Sequence, residues 1–404
     1  MSPILPFDII ALIIDIVGEN EDTDLLKELA LVSHSFLQFC NKHLFATVKL
    51  HNGSYRQPSS KKGFVKLLNS RPDVVKYIRK LTYKVAHYGC NDEDHLLTPI
   101  LSNFLPTSHP ILNCLTINTS HLDWNTLDSS LSSALLHLMH LPTINHIELS
   151  RIRNFPISSL TSCVNLHRLD LFNLDMREVN GSSSPEIVVQ SEMIPKILGF
   201  HTQKSSLLMT KLLHAKRQDG RPAFDFTDLR RLVISLVHSE DEQNMRYLLQ
   251  NTNLKLLNLL VTLNGSLAMR LHDILSPIAS TLKVLDLTVY LHDLSRAGLC
   301  EGLEAMAVHN KLEVLSIALC IGYGDDVTED SVGSILQNME RVLVKPGWSA
   351  LRQVSFRVDI SGFWRVSRES SARLSKALQS LPDKYLSQLS KLESVAFNYS
   401  ARLV

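Results

Sequence analysis

One short hydrophobic phrase recurs along the chain: an apolar residue, two variable residues, an apolar residue, one variable residue and a last apolar residue. It occurs about ten times. The clearest copies read NLHRLDLFNL, DLRRLVISL, NLKLLNLLV, TLKVLDLTV and KLEVLSIALC. The last two apolar residues alternate as they would on one side of a β-strand, and the first lies at the turn into that strand. The phrase therefore predicts a strand with one buried side.

Several segments between the phrases have helical spacing. Leu131, Leu135 and Leu138 lie on one side of a helix, as do Leu299 and Leu303. A single strand-and-helix unit cannot bury its apolar side, whereas stacked units pair their strands in parallel and form a continuous core. The alternative is a set of buried strands in ordinary α/β domains, which so many copies in order make less favourable.

The spacing of the copies is irregular. The centres of successive copies are 22 to 41 residues apart, except for a step of 63 residues from Leu169 to Leu232. Residues 175–225 fill most of that step and contain the polar runs VNGSSSPE and KRQDGRP. This composition predicts either an exposed insertion or a degenerate repeat in that range.

The series of copies resembles leucine-rich-repeat proteins over most of the chain. The resemblance implies an α/β fold over residues 51–404, an irregular leucine-rich-repeat-like solenoid of parallel strands with outer helices. The three apolar residues of each phrase are called its first, middle and last anchors, and the last two are strand anchors. The resemblance also implies that the residues flanking the strand anchors lie on the open face of the sheet. Those residues are His146, Glu148, Ser150, Arg168, Asp170 and Phe172 in two of the earlier copies.

Residues 1–50 have a different pattern, which predicts three helices. Pro6 suits the first turn of a helix, Ile9 and Ile13 share one of its sides, and Gly18 ends it. Acidic residues and then Leu25, Leu29 and Val32 predict a second helix, and Ser33 or Ser35 can cap a third that carries Phe36.

The order LP, Ile-rich helix, acidic break, LALVSHSF and HLF resembles an F-box, especially the F-box-like segment of large fungal families. Such a segment docks on the Skp-type adaptor of an SCF ubiquitin ligase, and through the adaptor on a cullin scaffold. The matching positions are the expected adaptor-binding residues: Leu5, Pro6, Ile9, Ile10, Ile13, Leu29, Val32 and Phe36. Phe36 stands where the family usually has Trp. The alternative is that the three helices only cap the end of the solenoid.

Charge and composition limit the possible partners. The formal net charge is +1, so no global field attracts nucleic acid or an anionic membrane. Residues 54–84 carry nine basic residues against Asp73, and a solvated surface is the simplest interpretation. The apolar run at residues 4–17 is interrupted by Pro6 and two aspartates, which favours an amphipathic helix over a signal peptide. With six scattered cysteines and no C-x-x-C, we expect an intracellular protein, cytoplasmic or nuclear.

No catalytic or metal motif stands out. The chain has no H-E-x-x-H, G-x-S-x-G or Walker-type loop, and GYGDD at residues 322–326 is assigned to a turn. His137 and His140 lie near His146 in sequence, but no acid or cysteine lies at ligand spacing, so no metal or cofactor is predicted. We therefore expect a non-enzymatic substrate receptor of an SCF-type ligase. The alternatives are a stand-alone repeat scaffold and a hydrolase without a recognisable motif.

An apolar row is expected where a protein substrate would bind. In three copies, the residue before the middle anchor is apolar, and strands about 4.8 Å apart would place these residues side by side. The predicted row consists of Leu256, Leu260, Val284 and Val314. Either it is an exposed binding surface, or another part of the chain covers it.

Overall fold

In the computed structural model the chain divides into two compact units. The first comprises residues 1–195 with 215–223, and the second comprises residues 196–214 with 224–404. The residues that the structure describes are 6–51, 60–85, 98, 101, 104, 111–175, 193–251, 256–263, 271–290, 298–307, 310–322, 329–360 and 368–403.

Three short helices open the first unit. They are α1 (Phe7–Glu19), α2 (Thr23–Ala30) and α3 (His34–Leu44). The side chain of Asp22 accepts a hydrogen bond from the backbone N–H of Leu25 at the start of α2, and Ser33 accepts one from Phe36 at the start of α3. The three helices enclose a small core of Ile14, Leu26 and Cys40. The predicted N-terminal helices are therefore present.

Five parallel strands follow in the first unit. They are β1 (Thr47–His51), β2 (Lys80–Val85), β3 (Cys114–Asp123), β4 (His146–Arg153) and β5 (Arg168–Phe172), with helices α4 (Ser60–Ser70) and α5 (Ser129–Met139). Each strand pairs with the next along the chain. The middle anchors Leu81, Leu115, Ile147 and Leu169 align at one register position and are completely buried.

The second unit repeats the same arrangement. Its strands are β6 (Gly199–Gln203), β7 (Arg231–Leu236), β8 (Asn258–Leu263), β9 (Val284–Tyr290), β10 (Val314–Ile321), β11 (Gln353–Ile360) and β12 (Ala396–Leu403). Its helices are α6 (Ser206–His214), α7 (Ser239–Asn251), α8 (Leu271–Leu275), α9 (Leu299–Met306), α10 (Glu329–Leu343) and α11 (Arg368–Tyr385). All six strand pairs are parallel and sequential.

Alternate residues of each strand point into the core. In β9, for example, Leu285, Leu287 and Val289 are buried, while the residues between them are half-buried on the opposite side, here called the sheet face. This alternation follows from the period of two in a strand. The predicted fold class, an N-terminal helical module followed by a leucine-rich-repeat-like solenoid, is confirmed. The range 175–225 contains β6 and α6, which have the form of a repeat unit.

Candidate docking surfaces

The first candidate site is an exposed apolar surface on the N-terminal helices. Large apolar side chains there remain in contact with solvent: Phe7 is 61% exposed, Ile13 46% and Val32 63%. We call this surface the N-terminal apolar patch, and its members are Phe7, Ile9, Leu12, Ile13, Ile16, Leu25, Leu31 and Val32. Scattered apolar residues are normal on a protein surface, but eight of them within residues 7–32 make this segment a candidate interaction site.

Helix α1 is apolar on more than one side, which produces the patch. Ile10, Ile14 and Val17 are spaced at intervals of three and four residues and pack into the core of the module. Ile9, Ile13 and Ile16 have the same spacing, but their side chains point to solvent. One row of α1 is thus used for folding, and the other is available for a partner.

An ion pair and a hydrogen bond hold α1 against α3. The carboxylate of Asp15 lies 2.5 Å from the Lys42 Nζ and 2.7 Å from the His43 Nε2. The hydrogen bond from Lys42 lowers the pKa of Asp15, and the hydrogen bond from His43 adds a smaller effect in the same direction. Together they outweigh burial, which raises this pKa. Gly18 permits this packing, because a Cβ at that position would overlap the His43 ring. The patch is therefore presented by helices that are fixed relative to each other.

The predicted adaptor-binding residues fall into two groups. Pro6, Ile9, Ile13 and Val32 are exposed. Ile10, Leu29 and Phe36 are partly buried, because one side of each packs against the core of the module. Leu5 lies outside the described residues. Sequence reasoning missed Phe7, Leu12, Ile16, Leu25 and Leu31, although the many apolar residues of α1 were a signal for three of them.

The second candidate site is on the sheet face of the second unit. Val284 and Val314 are register partners on β9 and β10, and both are half-buried on that face. Leu260 is also half-buried. It lies two residues after Asn258 on β8 and is the register partner of Asp286. The prediction is wrong for Leu256, which lies before β8 and is completely buried. The position beside Val284 on β8 is occupied by Asn258 instead.

A pocket of about 260 Å³ adjoins this row. Small side chains on adjacent strands form its floor, among them Ser316, Ala318, Ser355 and Ser400. Ser316 and Ser355 are register partners on β10 and β11, while Ala318 and Ser400 are the register partners of Arg357 on either side of it. The small side chains around Arg357 leave a depression between the longer ones. A depression of this kind can admit a partner's side chain.

Charges of both signs line this second-unit pocket. Arg357 donates from its Nε to Asp359 over 2.7 Å, and the Nε of Arg402 lies 3.4 Å from the same carboxylate. Asp286, in contrast, has no hydrogen bond or ion pair among the residues that the structure describes. Burial raises the pKa of Asp286, and the nearby charge of Arg357 opposes that shift only in part. A cationic group of a partner would satisfy this carboxylate.

These features define a repeat protein, a leucine-rich-repeat-like solenoid behind a three-helix module. No protein-family model matches the chain, and no curated protein matches it. Several solved structures are similar to it, including the following two. The leucine-rich repeat-containing protein LegL7 from Legionella pneumophila has 14% identity and a TM-score of 0.41, over 88% of this chain and 91% of its own. An internalin, InlF, from Listeria monocytogenes has 12% identity and a TM-score of 0.32, over 85% and 89%.

Within the described ranges, no helix is both long enough and apolar enough to cross a membrane.

Proposed function

We propose that the chain is the substrate-receptor subunit of an SCF-type ubiquitin ligase. The N-terminal module docks on a Skp-type adaptor, which connects it to the cullin scaffold, and the sheet face of the repeats binds a protein substrate. The observation that carries the proposal is the N-terminal apolar patch, which coincides with the segment that resembles an F-box. The chain then needs no catalytic residues of its own, because its partner subunits perform ubiquitin transfer.

The energetics of the patch favour a helical docking mode. Full burial of one large aliphatic or aromatic side chain stabilises an interface by about 1.5 to 3 kcal/mol. Eight such side chains are exposed in this segment, so their burial against a partner can contribute to binding, against the cost of association. Ile9, Ile13 and Ile16 on α1 follow the helix-in-groove pattern, in which residues three and four apart act as anchors.

Co-purification of the full 404-residue chain with a purified Skp-type adaptor tests the proposal. A complex of equal stoichiometry supports it. If the adaptor does not bind while the chain is folded, the chain is better described as a stand-alone repeat scaffold. The scaffold is the second candidate because no F-box family model matches the N-terminal segment.

Substitution of Val284 by lysine should abolish substrate binding and leave adaptor binding unchanged. The side chain of Val284 lies on the sheet face between Asn258 and Val314, and a lysine there would place a charge in an apolar contact. With the substrate unidentified, the probes are peptides selected from a random displayed library against the native chain. Their affinity for the variant should fall by about tenfold or more, measured by fluorescence anisotropy.

Val164→Lys is the matched control, because Val164 is also half-buried but lies outside the strands. Peptides that bind both variants equally well would argue against a binding site at this row. If Val284→Lys instead lowers the thermal unfolding temperature by many degrees while Val164→Lys does not, the row belongs to the core.

A further inference from the structure

Three neighbouring strands of the first unit bring a cysteine, a histidine and an aspartate together. Cys114 on β3 is the register partner of His146 on β4, and Asp170 on β5 is two residues beyond Arg168, the partner of His146. All of these side chains lie on the sheet face. The cluster is separate from both docking surfaces described above.

The geometry of the cluster is that of a nucleophile, a base and an orienting acid. The Cys114 Sγ lies 3.2 Å from the Nδ1 of His146, and the other ring nitrogen, Nε2, lies 2.9 Å from the Asp170 Oδ2. Arg168 holds Asp170 from the far side with two nitrogens, the Nη2 at 2.8 Å. A thiol within hydrogen-bond reach of an imidazole that a carboxylate orients is the arrangement that activates cysteine nucleophiles.

The electrostatics place a positive charge beside the sulfur. Burial lowers the pKa of His146, but its hydrogen bonds to Asp170 and Cys114 outweigh that effect and raise the pKa to about 9. At neutral pH the ring is therefore an imidazolium. Burial raises the pKa of Asp170, but His146 and Arg168 outweigh it, so the carboxylate stays ionised. Two cations thus face one buried carboxylate.

Two further charged residues lie on this face. Glu148 on β4 accepts a hydrogen bond from the hydroxyl of Thr116 over 3.3 Å, and Lys80 on β2 is the register partner of Cys114. Glu148 is an anion and Lys80 is a cation. The Cys114 sulfur is in hydrogen-bond contact with the His146 ring, whose other nitrogen contacts the carboxylate that Arg168 also binds.

A metal site explains the cluster less well. Ligand atoms of His146, Glu148 and Asp170 lie within 4.8 Å of one another, so a divalent ion is conceivable. Such an ion would take the Nε2 of His146 and an oxygen of Asp170, yet these two atoms already share a hydrogen bond and Arg168 already binds the same carboxylate. Cys114 contacts the opposite ring nitrogen and would be left out. His140 does not join either, because its ring contacts the Ser159 carbonyl oxygen.

We propose that Cys114 is a nucleophilic thiol that hydrogen peroxide oxidises to a sulfenic acid. The sulfur attacks one peroxide oxygen, an S–O bond forms and the O–O bond breaks. The departing hydroxide takes the proton from the Nδ1 of His146 and leaves as water. The sulfur loses two electrons, which the peroxide gains. A small neutral oxidant suits the site, because Cys114 is only 7% exposed.

Other cysteines of the chain serve as internal controls. Cys300 and Cys320 are more exposed than Cys114, and burial raises the pKa of each thiol. Cys40 and Cys163 are buried, and burial raises the pKa of Cys163 to about 12. The experiment treats the full chain with hydrogen peroxide at pH 7, traps sulfenic acid with dimedone and measures the labelling of each cysteine by mass spectrometry.

Cys114 should be labelled about tenfold or more faster than Cys300 and Cys320, although it is less exposed. His146→Asn should remove most of this advantage, and circular dichroism checks that the variant is folded. The ranking in the native chain does not depend on any variant. Labelling that follows exposure, with Cys300 or Cys320 first, would overturn the proposal. So would tight binding of one Zn²⁺ per chain that His146→Asn abolishes, because the cluster would then be a metal site.

Discussion

Replacement of both Ile9 and Ile13 by aspartate should abolish the complex with a Skp-type adaptor. Both side chains are about half exposed on the outer side of α1, one turn apart, in the N-terminal apolar patch. A carboxylate buried in a desolvated interface costs several kcal/mol, so two of them should weaken binding by a factor of about a hundred or more. Isothermal titration calorimetry with purified adaptor and full chain measures the effect.

The native fold of the double variant must be checked at the same time. Ile9 and Ile13 make no part of the buried core of the module, so the thermal unfolding temperature should change by only a few degrees. The matched control is Ile111→Asp, since Ile111 is an exposed isoleucine outside the N-terminal helices. If the double variant binds the adaptor as tightly as the Ile111 variant, the docking proposal is wrong.

Ile14→Asp separates folding from docking on the same helix. Ile14 neighbours Ile13 in sequence but is completely buried between the three helices. A charge there should unfold the module, so adaptor binding would be lost together with the helical signal. The double variant at Ile9 and Ile13 should instead lose adaptor binding while its helical signal stays intact. This contrast distinguishes a docking surface from a structural cap.

The sequence predicted the solenoid because its signal is repeated and local. Each phrase contains its own strand anchors, so Leu285 and Leu315, for example, were correctly expected in the core from their position in a single copy. The N-terminal helices were predicted for the same reason. Caps at Asp22 and Ser33 act over three residues, a distance that sequence reading resolves well.

The inner and outer sides of the N-terminal helices could not be separated in the same way. Nearly every position of α1 from Phe7 to Val17 is apolar, so helical spacing alone offers several equivalent rows. Only the packing of α2 and α3 decides that Ile10 faces the core and Ile9 faces solvent. For this reason three of the predicted adaptor-binding residues, Ile10, Leu29 and Phe36, are partly buried against the core of the module.

The cysteine–histidine–aspartate cluster was also beyond sequence reading. His146 and Asp170 were expected on the same face of the sheet, but their contact joins residues 24 positions apart, and that of Cys114 with His146 joins residues 32 positions apart. Nothing local links them. The one available signal was that Cys114 and His146 hold the same place in their copies of the phrase, immediately before the middle anchor.

The error at Leu256 has a different cause and leads to a sharp test. The run LKLLNLLV fits the repeated phrase in two registers that are two residues apart. One register makes Leu257 a core anchor, and the other uses Leu256, Leu259 and Val261. Parallel pairing of β8 with β7 and β9 selects the second, because Leu259 then aligns with Leu232 and Leu285.

Leu256→Ala should therefore destabilise the second unit strongly, while Leu257→Ala should not. Leu256 is 0% exposed and Leu257 is 36% exposed, although the two residues are identical and adjacent. Removal of a buried leucine side chain costs about 2 to 5 kcal/mol through lost burial and the cavity that remains. Truncation of a surface leucine such as Leu257 should lower the free energy of unfolding by about 0.5 kcal/mol or less. The backbone N–H and carbonyl of Leu257, which bond to Arg230 and Lys283, are unaffected by alanine. Urea unfolding of both variants measures the difference, and a larger loss for Leu257→Ala would mean that β8 is paired in the other register.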